Sequence, residues 1–147
     1  MKDVRAFLDS EEVDYDSAKK LGPAALPFLQ ELAEGGNLAL ATKAVYLASL
    51  IKGTAARAIV ERAAQSPEVL LRVTAASGIK NMSERQSGKI FYALIDDEDP
   101  GIRKVAMNSA AHFTAQKALK KLSKLASSDK ESFLRELATR QVARMKK

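Results

Sequence analysis

His112 is the only histidine in the sequence, and there is no cysteine. A lone imidazole one residue before Phe113, with no acid at i±3 or i±4, forms neither a catalytic triad nor a metal site by local spacing. The absence of cysteine removes disulfides, thiolate nucleophiles and cysteine-ligated zinc together. Asp96-Asp97-Glu98-Asp99 gathers acids in one turn, as a hard-cation site does. It lacks the spaced ligands and central glycine of a calcium loop, and a helix-capping turn whose charge favours a helix dipole accounts for it. No phosphate-cradling glycine motif, nucleophile elbow or HExxH occurs. These residues support no catalysis, no cofactor and no metal.

Basic residues offer a different chemistry. Lys117, Lys120, Lys121 and Lys124 stand at i, i+3, i+4 and i+7, one stripe of a helix, with Arg140, Arg144, Lys146 and Lys147 further along. Such a stripe can bind phosphates through counterion release, although it contains no aromatic residue for base stacking. A solvated amphipathic face is the plainer account. The net charge of +6 is polarised: −4 over residues 1–37, +3 over 38–113 and +7 over 114–147. That asymmetry steers acidic partners.

The elements that must carry these groups are helices. Of the 147 residues 46% are hydrophobic but only 5% aromatic, an alanine- and leucine-rich mixture that suits close helix packing in a single domain. The first ten residues include Asp3, Arg5 and Asp9 and so have no signal-peptide core, and nowhere do 18 apolar residues run together. A cytoplasmic protein that does not enter membranes is the expectation.

Val4, Phe7 and Leu8 suggest a short amphipathic turn, followed by an irregular acidic stretch from Ser10 to Asp16, where Asp14 or Asp16 can cap a short helix. Gly22-Pro23 restarts the chain, and Pro27 bends the next helix or confines its first turn. From Asn37 onward helices alternate with short turns. Ser66-Pro67 and Asp99-Pro100 read as caps followed by a first-turn proline. Ser83-Glu84-Arg85-Gln86 and Ser128-Asp129-Lys130-Glu131 have the capping-box form, and Thr114 reads as another cap.

The helices repeat. Ile102, Val105, Ala106, Ser109, Ala110 and Phe113 share one side of a helical wheel. Moving back 31 residues gives Leu71, Thr74, Ala75, Gly78, Ile79 and Met82, and a further 31 gives Leu40, Lys43, Ala44, Leu47, Ala48 and Ile51. Moving forward 32 gives Leu134, Leu137, Ala138, Gln141, Val142 and Met145. Only Lys43 breaks the apolar pattern conspicuously. This period, over four antiparallel helix pairs, marks a solenoid. Arg72, Arg103 and Arg135 follow the leading apolar position in three units, with Ala41 in the first. Their nearest acids are turn residues such as Asp97, Asp99 or Asp129.

Asp97-Glu98-Asp99-Pro100-Gly101-Ile102-Arg103-Lys104-Val105-Ala106, running on to Phe113, resembles the second helix of a HEAT repeat. The other units follow the pattern more loosely. The resemblance, over about residues 23–147, implies a right-handed α-solenoid whose second helices line a concave surface. It also implies an Asp–Arg ladder, giving Arg72, Arg103, Arg135 and Asp99 a structural role. HEAT proteins most commonly bind other proteins; some relatives act on light-harvesting chromophores, and one branch comprises DNA glycosylases.

The expected architecture is therefore all-α: about four HEAT-like helix pairs with a short helical N-terminal cap. The single domain spans 1–147, with the cap at 1–22 and repeats at about 23–52, 53–82, 83–113 and 114–147. The expected function is a non-enzymatic interaction module or scaffold. Its concave, mildly basic surface would present Lys104, Met107, Asn108, Ala111, Arg140 and Arg144 to an acidic protein partner. The alternative is polyanion or nucleic-acid binding through Lys117, Lys120, Lys121 and Lys124; a pocket for a small molecule between units is a third possibility.

Overall fold

The computed structural model describes residues 2–9 and 14–147. The Phe7 side chain and residues 10–13 of the acidic stretch lie outside the described residues. A short α1 (Lys2–Asp9) and α2 (Tyr15–Ala18) lead through a 3-10 segment, Lys19–Ala25, into α3 (Leu26–Glu34) and α4 (Leu38–Leu50). Then come α5 (Thr54–Ala64) with α6 (Val69–Gly78), α7 (Glu84–Leu94) with α8 (Pro100–Ser109), and α9 (Gln116–Ser128) with α10 (Ser132–Met145). The described residues contain no strand. Each of these pairs packs on itself and on its neighbours, making an α-solenoid.

The second helices α4, α6, α8 and α10 form the closer-packed layer. Small residues permit this: Ala44, Ala75, Ala106 and Ala138 are all fully buried. At Gly78 on α6 the approach is close: an added Cβ would lie 2.8 Å from Ser49 Cβ on α4. Beside it, Asn81 Nδ2 donates to Ser49 Oγ at 3.0 Å. The first helices are looser: α5 touches both α3 and α7, but α9 barely reaches α7. The last pair is thus hung chiefly through α10 on α8. Lys43, the cation that interrupts the repeated apolar positions on α4, reaches towards α1: its Nζ donates to the Leu8 carbonyl at 2.8 Å and ties α1 to α4.

Several helix starts differ from the sequence reading. Helix α6 begins at Val69, not at Pro67, so α6, α8 and α10 all begin three residues before Arg72, Arg103 and Arg135. Each arginine closes its own turn. Arg72 Nη1 donates to the Ser66 and Pro67 carbonyls, Arg103 Nη1 to those of Asp97 and Glu98, and Arg135 Nη1 to that of Asp129. Ser66 and Ser128 do not cap as expected: Ser128 ends α9 and its hydroxyl donates to the Lys124 carbonyl, while the side chains of Ser66 and Asp129 accept from the backbone amides of Glu68 and Glu131, as Asp97 does from Asp99. Thr114 is not a cap either. Its amide and that of Ala115 donate to the Glu84 carboxylate, supplied by the preceding unit. Helix α8 stops at Ser109 rather than reaching Phe113, because Ala110 leaves helical geometry at φ −96°, ψ 23°.

The arginines also reach forward. Arg72 Nε donates to Asp97 Oδ2 at 2.9 Å, and Arg103 makes a two-pronged contact with Asp129, Nε to Oδ2 and Nη2 to Oδ1, both at 3.0 Å. Asp99 takes no part in these bridges: its carboxylate is occupied in capping α8, accepting from the Gly101 amide at 2.7 Å. The side chains of Arg103 and Asp129 are only 11% and 2% exposed, so neither charge can be left alone cheaply. Burial by itself would raise the Asp129 pKa. The hydrogen bonds from Arg103 and the Glu131 amide, with the charges of Arg103 and Arg135, outweigh it and hold the carboxyl below its ordinary value.

Gly78→Ala forces α4 and α6 apart and should lower unfolding stability by about 1–3 kcal/mol, read from urea titration. Asp129→Ala strands Arg103 and should cost about 3 kcal/mol near neutral pH. Because the Asp129 pKa is depressed on folding, its stabilisation is whole above about pH 5 and is lost as pH falls through the folded-state value. Asp129→Asn should accordingly flatten the acid limb of the urea-midpoint profile; an unchanged limb would contradict the assignment.

Candidate functional site

With the core accounted for, the outward surface of the second helices can be assigned. Lys104, Asn108 and Ala111 are exposed on α8 and the turn after it, as are Arg140 and Arg144 on α10. Met107 is not among them. It is 1% exposed and packed in the core, because α10 lies against α8 on the side where Met107 points. Ala76, at the equivalent place on α6, is buried against α8 in the same way. Gln141 connects the surface to the interior: its Nε2 donates to the Met107 carbonyl at 3.2 Å, while its Oε1 accepts from Arg144 Nε and Nη2 at 2.9 and 2.7 Å. Arg144 is therefore held in place on α10.

The same surface carries apolar groups that the sequence reading passed over. Leu70 and Phe133 are 53% and 46% exposed. Each stands two residues before the arginine that closes its turn, Arg72 or Arg135, and Gly101 occupies the matching place between them. The signal was present, since an apolar residue directly before the leading buried position, Leu71 or Leu134, falls off the buried face. Exposed Val69 and half-buried Val73 extend the patch on α6.

The lysine stripe occupies a separate place. Lys117, Lys120 and Lys124 are exposed on α9, while Lys121 is partly buried and pairs with Asp96 at 2.8 Å. The stripe faces Tyr92 on α7, whose ring centroid lies 4.4 Å from Lys117 Nζ. These groups enclose an open groove of about 390 Å³. An aromatic ring absent from the stripe itself is thus supplied by the preceding unit. The Tyr92 hydroxyl has its pKa raised by burial and by the nearby Glu84 carboxylate, so it stays neutral at physiological pH.

His112 Nε2 lies 2.8 Å from the Met82 carbonyl, an oxygen that can only accept, so Nε2 carries the proton and braces successive units. The acids of the 96–99 turn are dispersed among distinct tasks. Asp96 pairs with Lys121, Asp97 with Arg72, and Asp99 caps α8. Among the described residues no cluster of His, Cys, Asp or Glu has metal-binding geometry, and no helix is long and apolar enough to cross a membrane.

Comparison with known proteins agrees with this architecture. No curated protein matches the chain. The family model of HEAT repeats matches residues 56–143, from within α5 to the last turns of α10. HEAT repeats generally act as scaffolds for protein–protein interaction and are typically non-enzymatic. With its paired helices, close second-helix layer and inter-unit arginine bridges, the chain belongs to the HEAT-repeat family.

Proposed function

We propose that the protein is a non-enzymatic scaffold that binds an acidic protein partner across the outward surface of α6, α8 and α10. The observation that carries this reading is the juxtaposition there of Lys104, Arg140 and Arg144 with exposed Leu70 and Phe133. Tight interfaces rest on aromatic and arginine anchors enclosed by a polar rim. Phe133 supplies an aromatic anchor that Met107, buried in the core, does not. Arg144, positioned by Gln141, loses less side-chain freedom on engaging a carboxylate than an unrestrained arginine would. The cations attract an acidic surface, and the apolar groups hold it once water is excluded. Asn108 and Ala111 are small enough to let the partner approach between them.

The test is a crosslinking pull-down from the native cell with the full chain as bait. Wild-type protein should enrich a partner that the triple charge reversal Lys104→Glu, Arg140→Glu, Arg144→Glu fails to retain. Phe133→Ala should weaken retention at least tenfold, a loss of about 1.4 kcal/mol or more. Equal capture by all three proteins, with their thermal melts unchanged, would sink the proposal.

A further inference from the structure

The groove between α7 and α9 lies outside the surface proposed for the protein partner, and it joins two groups from different units that do not combine in the sequence. On α9, Lys117 and Lys124 stand seven residues apart, about 10 Å along the helix axis, with Lys120 between them. On α7, Tyr92 presents its ring towards them, and Lys89 lies one turn earlier on the same face of the helix. Asp96 offsets Lys121 and the Glu84 carboxylate lies near Tyr92, but with four lysines lining it the groove keeps a positive balance. It is open because α9 hangs from α10 and hardly touches α7.

We propose that this groove binds single-stranded nucleic acid, with a base against the Tyr92 ring and consecutive phosphates along Lys117, Lys120 and Lys124. Surfaces that hold single strands without sequence preference combine a basic track with aromatic rings on which bases stack. Both parts are present here within one groove of about 390 Å³. The Lys117 ammonium rests over the ring on a flexible stem. Swinging it onto a phosphate frees the ring face for a base. A duplex keeps its bases stacked internally and so has none to offer Tyr92. An acidic peptide satisfies the lysines but leaves the ring without a partner.

The experiment is fluorescence anisotropy with labelled oligothymidylate of about 12 nucleotides and the full-length chain. With roughly three phosphates neutralised, log K should fall against log salt with a slope of about −2, a loss of about fifteenfold between about 50 and 200 mM salt. Tyr92→Leu should weaken binding about tenfold, and Tyr92→Phe, which keeps the ring, should bind like wild type. The pair Lys120→Gln, Lys124→Gln should flatten the salt slope. A duplex of the same length should bind more weakly, and polyglutamate of equal charge should compete poorly. Three results would each overturn the proposal. They are no binding at the lower salt, Tyr92→Leu binding as wild type does, and polyglutamate displacing the strand as well as unlabelled oligothymidylate.

Discussion

Arg103 holds together both its own turn and the next one, and the geometry of the solenoid follows from that double duty. One nitrogen closes the loop before α8 by donating to the Asp97 and Glu98 carbonyls. The other two engage the Asp129 carboxylate of the following unit. A planar guanidinium with a fixed fork of donors can satisfy both sets at once, which an ammonium on a flexible stem would do less well. Asp129 has two duties of its own, since Oδ1 also accepts from the Glu131 amide and fixes the turn before α10. Each bridge thereby sets where the next second helix starts. With those starts fixed, the set of side chains left facing outward is fixed as well.

The ladder is absent where both of its halves are absent. The first unit has Ala41 in place of the arginine, and the second turn has Ser66 in place of the aspartate. Ser66 keeps the local task, accepting from the Glu68 amide, and drops the inter-unit one. No buried charge is stranded by the change, which is what the cost of an unpaired interior ion demands. The first two units are held instead by the close α4–α6 approach at Gly78, the Asn81–Ser49 hydrogen bond, and the Arg62–Glu34 ion pair at the rim. The space without a bridge persists as a groove of about 820 Å³ lined by Val45, Ala63 and Leu71 together with Glu34, Arg62 and Glu68.

At the other end the last pair packs through its second helix, leaving α9 apart from α7. Among the described residues three contacts cross the resulting gap: the Lys121–Asp96 pair, Lys117 over the Tyr92 ring, and Glu84 accepting from the Thr114 and Ala115 amides at the start of α9. A carboxylate at a helix N-terminus interacts favourably with the helix dipole, so Glu84 does from a neighbouring unit what a local cap would otherwise do. The arrangement leaves positive charge on two distinct surfaces of the same end, one on α8 and α10 and the other on α9.

Much of this was legible in the sequence. The period of 31–32, the small residues at Ala44, Ala75, Ala106 and Ala138, and the helical class are all local or periodic properties, and periodicity survives in one dimension. The bridging arginines were legible by position, but their partners were not. Asp97, Asp99 and Asp129 look alike in a string, and only the register between adjacent units assigns Asp97 and Asp129 to arginines and Asp99 to a cap. Met107 was misplaced for the same reason. A helical wheel distinguishes the side facing the helix's own pair from the opposite side, but it does not show where the next unit covers that opposite side. The pairing of Tyr92 with the lysine stripe likewise exists only because α7 and α9 flank one groove. The sequence by itself therefore determined the repeating unit, because its spacing and its small and apolar positions lie within single helices. The tertiary structure decided which charges meet and which side chains remain outside, because both depend on how one unit stacks on the next.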